Sequence, residues 1–246
     1  MSLVSRYRDD DSAPTIVGAG RDLVMRALLP ALALFVAGIG VGWTLLGPVG
    51  ASTGEDQISV LAQSGRTPSL DAIARTASEI GSVTGNAIIC ILSVALVWAL
   101  TRRWWLALLP ALALWLHVMV HLATSIVIAR PRPQVQTLDI GQPTASFPSG
   151  HMGATTAQLL VMVFFFCQRV QSRAWRAVII AAVSGYLLVL GWSRIYLGMH
   201  HVTDVVWGAV NGVVCGLIAW LVLRRTSEPA RDGSPQVRAR RARLNE

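Results

Sequence analysis

Two short groups of polar residues in this apolar chain have the types and spacing of a phosphoryl-transfer site. In Pro148-Ser149-Gly150-His151, turn-forming residues precede an apolar run. We expect a helix to begin there, with free backbone N–H groups for an anion. His200 and Asp204 are four residues apart, so they share one helical face if the last helix begins at His200. A carboxylate bonded to Nδ1–H of His200 would leave Nε2 to attack phosphorus, while His151 protonates the departing alkoxide.

Arginines near these groups indicate how a phosphate would be held. A guanidinium group presents a fork of donors that matches two phosphate oxygens. Arg130 and Arg132 alternate with prolines, which keep the segment extended and its neighbours two apart about 6 Å from each other. Arg194 follows Ser193 a few residues before His200. We therefore predict that Arg130 and Arg132 hold one phosphate or the two groups of a diphosphate.

Three segments together resemble the signature motifs of the type 2 phosphatidic acid phosphatase superfamily. They are Arg132-Pro133, Pro148-Ser149-Gly150-His151 and Ser193-Arg194-x5-His200-x3-Asp204. The resemblance extends over roughly residues 55 to 215. The second and third motifs are specific in combination, and either alone would be weaker.

The resemblance implies a role for each matching residue. His200 would form a phosphohistidine, Asp204 would orient it, and His151 would act first as an acid and then as the base that activates water. The phosphate would be held by the side chains and backbone of Arg132, Arg194, Ser149 and Gly150. No metal and no cofactor are implied.

The first motif departs from the family pattern, which places a lysine seven residues before the arginine of Arg-Pro. Ser125 occupies that position here, and the chain contains no lysine at all. We expect Arg130 to substitute in part. His117 and His121 have helical spacing on the preceding segment, where we expect a packed, hydrogen-bonded pair, although His121 lies one turn from Ser125 and could face the pocket.

Composition indicates that these motifs belong to a membrane protein. Of the 246 residues 53% are hydrophobic and 14% are charged, with a mean hydropathy of +0.53, whereas soluble proteins carry about 25% charged residues. The arginines lie between apolar runs, which argues against nucleic-acid binding. A spanning helix needs about 20 apolar residues. Six segments meet this requirement, at about 26–46, 85–100, 104–129, 152–167, 177–192 and 202–223.

We therefore predict an all-α, six-helix integral membrane bundle with its site at the extracytoplasmic helix ends. Residues 1–22 form a disordered cytoplasmic tail, 23–223 the six-span phosphatase domain and 224–246 an arginine-rich cytoplasmic tail. Sixteen of the 21 arginines fall on the side of both termini, which the positive-inside rule assigns to the cytoplasm. The motifs would then face outward from the plasma membrane.

The predicted activity is metal-independent hydrolysis of a lipid phosphate or isoprenoid diphosphate through a phosphohistidine. Candidate substrates are phosphatidate, phosphatidylglycerol phosphate and polyprenyl diphosphate. Transfer of the phosphate to a lipid headgroup is one alternative, because a phosphohistidine can react with an alcohol instead of water. A non-catalytic relative is the other, because the lysine of the first motif is absent.

Overall fold

The structure is a computed structural model that describes residues 16–48, 50, 53–139 and 145–222. In these ranges the chain forms no strand, and eight of its helices are described over their whole length. In chain order they are α1 (Ile16–Leu46), α2 (Glu55–Ser64), α3 (Pro68–Ile80), α4 (Val83–Thr101), α5 (Trp104–Ile128), α6 (Gly150–Arg169), α7 (Arg173–Tyr196) and α8 (Val202–Val222).

Six of these helices, α1 and α4 to α8, are long and apolar enough to cross a bilayer. The predicted all-α, six-span architecture is thereby confirmed. The first span starts at Ile16 and not near Arg26, because the helix continues through a π-helical turn at Val24–Leu28. An ion pair of 3.4 Å between Asp22 and Arg26, one turn apart, holds the charged stretch in the helix.

The predicted terminal tails fall mainly outside the described residues. This holds for residues 1–15 and for the whole of 224–246. Residues 16–22, which the sequence analysis assigns to the disordered tail, are helical.

Helices α6 and α8 pack against each other through backbone atoms. A Cβ added at Gly212 would lie 2.4 Å from the carbonyl oxygen of Gly153, and one at Gly208 would lie 2.6 Å from that of Ser149. No side chain fits at either contact, and such small-residue contacts are how helices approach closely in membranes. The start of α6, which carries the second motif, is therefore held against the start of α8, which carries Asp204.

The helices α2 and α3 connect the first two spans and lie at the same end of the bundle as the motifs. Thr67 caps α3, because its hydroxyl accepts from the N–H of Leu70. Ala74 and Ala77 form the buried apolar side of α3. In the structure α3 packs on α7. This packing brings polar side chains of α2 and α3 to the motifs.

Candidate active site

A cavity of about 400 Å³ brings the three motifs together. Five of the predicted site residues line it, namely Arg132, Gly150, His151, Arg194 and His200. Its other polar lining comes from His117, His121 and Asn86, and its apolar lining from Val83, Ala87, Leu114, Val118, Leu122 and Ala154. The other three predicted residues, Arg130, Ser149 and Asp204, are buried behind this lining.

His200 is held with one ring nitrogen bonded to the backbone. Its Nδ1 lies 2.6 Å from the carbonyl oxygen of Ser146. A carbonyl can only accept, so Nδ1 carries the hydrogen and Nε2 keeps its lone pair in the neutral ring. Burial, reinforced by the charge of Arg194, lowers the pKa of His200 well below its usual value. The imidazole that lines the cavity is therefore neutral, which is the form in which Nε2 can act as a nucleophile.

Asp204 does not make the predicted hydrogen bond to the imidazole of His200. Its carboxylate instead accepts from the Ser146 hydroxyl at 2.5 Å, from the backbone N–H of His201 at 2.8 Å and from Arg130 at 2.6 Å. Nδ1 of His201 lies 3.0 Å from the same carboxylate. Since the carbonyl of Ser146 contacts His200, Asp204 is linked to His200 through Ser146. His201 is itself buried.

Arg130, for which a phosphate contact was predicted, is not among the residues that line the cavity. Its guanidinium lies 2.6 Å from Asp204 and 2.9 Å from Glu55, and the exposed fractions of the three side chains are 6%, 0% and 5%. An extended proline-rich chain has about three residues per turn, so side chains two apart point in different directions. Burial lowers the pKa of Arg130, but the carboxylates of Asp204 and Glu55 outweigh burial and raise it.

Arg132 and Arg194 supply positive charge at the cavity. Nη1 of Arg132 lies 3.1 Å from Sδ of Met199. Nη1 of Arg194 donates to Asp139 at 2.8 Å and to the Ser78 hydroxyl. Its buried Nε has no hydrogen-bond partner in the described part of the chain. Arg194 is thus fixed at one nitrogen and retains donor capacity for an anion.

The second motif begins a helix as predicted. Ser149 precedes the first residue of α6, and its N–H donates to the backbone carbonyl of Asp204 at 3.0 Å. The side chain of Ser149 is buried, and Oγ has no hydrogen-bond partner among the described residues. Gly150 and His151, in the first turn of α6, line the cavity. The positive end of the helix dipole is therefore directed at the cavity.

Several residues that contact the motif arginines were missed by sequence analysis. Glu55 accepts from the N–H of Thr203 at 2.6 Å and from its hydroxyl at 2.9 Å, besides its pair with Arg130. Burial raises the pKa of Glu55, but these hydrogen bonds outweigh burial and lower it. Asp139 likewise accepts a hydrogen bond from Arg194. Burial raises the pKa of Asp139, but the hydrogen bond and the charge of Arg194 outweigh burial and lower it. The only sequence signal was that acidic residues are rare, 13 in all.

His117 and His121 also differ from the expectation of a hydrogen-bonded pair. Their rings stack at 5.7 Å between centroids with planes 16° apart, and both line the cavity. Asn211 and the backbone of Gly150 lie near the ring of His117, and the backbone of Pro148 lies near that of His121. In the described ranges, however, no partner has hydrogen-bond geometry to either ring nitrogen of His117 or to Nδ1 of His121. The cavity is therefore lined by four imidazoles, of which the motifs account for two.

Comparison with known proteins agrees with this arrangement. A sequence profile of the PAP2 superfamily matches residues 104–228, which include all three motifs. The chain belongs to the PAP2 superfamily. Phosphatidylglycerophosphatase B of Bacillus subtilis strain 168 is 30% identical over 114 residues. That match covers 46% of this chain and 56% of the relative, so it spans little more than half of the relative's length.

Two crystal structures have a fold similar to that of this chain. The first transmembrane PAP2 type phosphatidylglycerolphosphate phosphatase from Bacillus subtilis has a TM-score of 0.68 and 21% identity, over 78% of this chain and 94% of that one. LpxE from Aquifex aeolicus has a TM-score of 0.51 and 24% identity, over 66% and 92%. Together with the six apolar helices, these similarities make the chain a multi-pass membrane protein of the PAP2 superfamily.

The PAP2 profile match begins at Trp104 and therefore excludes α2 and α3. Glu55 and Ser78, which contact Arg130 and Arg194, lie on these two helices. The segment before the match thus contributes to holding PAP2 motif residues in place.

Proposed function

We propose that this protein is a membrane phosphatase that hydrolyses a lipid phosphate or an isoprenoid diphosphate without a metal ion. The single observation that carries this proposal is the state of His200. Its Nδ1–H is bonded to the carbonyl of Ser146, and its ring lines a cavity with Arg132 and Arg194. A neutral imidazole next to two guanidinium groups is suited to attack a bound phosphate.

The proposed reaction has two displacement steps. In the first, Nε2 of His200 forms a bond to phosphorus as the bond to the lipid oxygen breaks, and His151 donates its proton to that oxygen. In the second, His151 removes a proton from water, the water oxygen bonds to phosphorus, and the bond to Nε2 breaks. Inorganic phosphate leaves, and both histidines return to their starting state.

Separate groups stabilise the charge that develops on phosphorus. Arg132, Arg194 and the first N–H groups of α6 would bind the non-bridging oxygens. The links from Asp204 through Ser146 would keep His200 oriented. Arg130 would act on the reaction through Asp204 and would not contact the phosphate.

The shape of the cavity supports a lipid as the substrate. Beside the polar end, α4 contributes Val83 and Ala87, and α5 contributes Leu114, Val118 and Leu122. These side chains belong to two membrane-spanning helices. A headgroup phosphate bound at the arginines would place the first carbons of its chain against them. The arginine distribution supports a cytoplasmic location of both termini and a site that faces outward from the plasma membrane.

The test is phosphate release by purified protein in detergent with EDTA present. The substrates are phosphatidate, phosphatidylglycerol phosphate and a polyprenyl diphosphate. His200→Ala and Arg132→Ala are expected to abolish or greatly reduce release, whereas Arg75→Ala, an exposed arginine on α3, is expected to retain it. Radiolabelled substrate should leave phosphate on the protein in an acid-labile, base-stable form, as expected of a phosphoramidate.

Each part of the proposal has its own contrary result. Loss of release with EDTA would contradict metal independence, and unchanged release from His200→Ala would contradict the phosphohistidine. Phosphate that appears on an added acceptor lipid, without release of inorganic phosphate, would assign the chain to the phosphotransferases. No reaction with any of the three lipids would contradict the proposed function as a whole.

A further inference from the structure

The proposed reaction leaves two histidines of the cavity unused. His117 and His121 lie one turn apart on α5, and their stacked rings line the same cavity as His151 and His200. His117 is 1% exposed, and both of its ring nitrogens lack a hydrogen-bond partner in the described part of the chain. A buried polar group without a partner costs free energy. Side chains of this kind at a cavity wall indicate a ligand that can bond to them.

The first turn of α6 is built around these two rings. A Cβ added at Gly150 would lie 2.9 Å from Nε2 of His121, and one at Gly153 would lie 2.0 Å from Cε1 of His117. Glycine at both positions therefore allows the imidazoles to reach the start of α6. Nε2 of His121 consequently lies beside the first residue of that helix, where an anion would bind the free N–H groups.

The ring of His121 has one backbone neighbour that could accept its hydrogen, the carbonyl of Pro148 just before α6. Nδ1 is buried without a hydrogen-bond partner among the residues that the structure describes. Nε2 adjoins Gly150, which itself lines the cavity. An imidazole with its hydrogen on Nε2 would donate toward an anion at that point. Ser125 follows one turn later on α5 and is not among the residues that line the cavity, so His121 is the nearer donor on this helix.

We propose that His121 is a further phosphate-binding residue, which donates from Nε2 to an oxygen of the phosphate bound at the start of α6. The inference rests on the proposed function for the identity of the anion. The ring of His117 stacks against the ring of His121 and helps to fix its orientation. The site for the phosphate then has donors on four parts of the chain: His121 on α5, Arg132 in the segment after α5, the first turn of α6, and Arg194 near the end of α7.

Two substitutions at His121 distinguish the effect of its N–H donor from the effect of its ring packing. His121→Phe keeps a flat ring against His117 and removes the N–H, whereas His121→Gln restores a side-chain N–H. Met119→Leu, at an exposed position of the same helix, is the control. We expect His121→Phe to lower kcat/KM roughly 100-fold and to weaken inhibition by inorganic phosphate about tenfold. His121→Gln should recover most of both losses.

Two results with a wild-type melting temperature would overturn the inference. One is a His121→Phe enzyme within threefold of the wild type in kcat/KM and in phosphate inhibition. The other is an equal loss in the Phe and Gln variants, because the donor would then be irrelevant.

A measurement on the unmodified protein covers the case in which the variants fail to fold. The protein is treated with diethyl pyrocarbonate in the presence and absence of inorganic phosphate, and modification of His121 is read by mass spectrometry. Protection by phosphate is expected. Equal modification in both samples, or no modification in either, would contradict the inference. This readout needs no turnover, so it remains informative even if no lipid is hydrolysed and the proposed function fails.

Discussion

The Oδ1 atom of Asp204 lies 2.6 Å from Nη1 of Arg130 in a buried ion pair. Glu55 completes the arrangement on the other side of the guanidinium, at 2.9 Å. One cation between two anions compensates part of the cost of burying these charges. Asp204 therefore depends on Arg130 for its position, and the Ser146 carbonyl that holds His200 depends in turn on Asp204.

This pair predicts different consequences for the two arginines of the Arg-Pro-Arg-Pro segment. Arg130→Ala leaves two buried carboxylates without their cation, which should lower stability by about 3–5 kcal/mol. Arg132→Ala should leave the melting temperature in detergent nearly unchanged and lower kcat/KM by about 100-fold. Thermal unfolding and steady-state kinetics on both variants check this. An Arg130→Ala protein with wild-type stability and weakened phosphate inhibition would instead place Arg130 at the phosphate.

Glu55 is expected to support catalysis although it does not line the cavity. Glu55→Gln removes the charge that pairs with Arg130 and weakens the contact with Thr203 at the start of α8. We expect kcat to fall about tenfold with little change in KM, because substrate binding groups remain in place. Glu79→Gln, an exposed position on α3, serves as the matched control. Equal kinetics for the two variants would contradict a positioning role for Glu55.

The environment of His200 predicts a site that remains active in mild acid. Because burial lowers its pKa, the folded protein keeps this imidazole neutral as the pH falls below 6.5. The acidic limb of kcat/KM, corrected for ionisation of the substrate, should therefore lie below pH 6.5. In the unfolded chain His200 takes up its proton near its ordinary pKa, so its contribution to stability decreases as the pH falls through 6.5. An acidic limb at or above pH 6.5 would contradict this assignment.

The orientation in the membrane is open to a direct test. In a variant with Cys90, Cys167 and Cys215 replaced, a single cysteine at Gln134 should react with an impermeant maleimide in intact cells. A single cysteine at Gln171, an exposed position between α6 and α7, should react only after permeabilisation. The reverse pattern would place the candidate site in the cytoplasm.

Hydropathy and motif spacing were sufficient to predict the six spans and the cavity residues of the three motifs. The spans follow from long apolar runs, and His151, Arg194 and His200 meet because each lies near an end of a helix on the same side. The partners of Arg130 could not be predicted in this way. Arg130 is separated from Glu55 and from Asp204 by about 75 residues, and no local pattern pairs residues at such distances.

The directions of individual side chains could not be predicted from the sequence either. Helical spacing placed His117 and His121 on one face of α5 but did not identify what that face meets. The answer depends on Gly150 and Gly153, whose missing side chains leave the rings room at the cavity. Likewise, the expectation that Asp204 bonds to His200 overlooked the carbonyl of Ser146, a backbone group that no sequence pattern reports.

The glycine contact between α6 and α8 has a mechanical consequence for the proposed chemistry. Gly208 lies one turn beyond Asp204, and the carbonyl it approaches belongs to Ser149, two residues before His151. A methyl group at position 208 would act as a wedge, and the helix ends that carry the two motifs would have to separate. The distance between His151 and His200, the proposed proton donor and nucleophile, therefore depends on a residue that takes no part in the proposed reaction. We therefore expect substitutions of Gly208 to be tolerated less well than substitutions of many residues that lie nearer the proposed phosphate site.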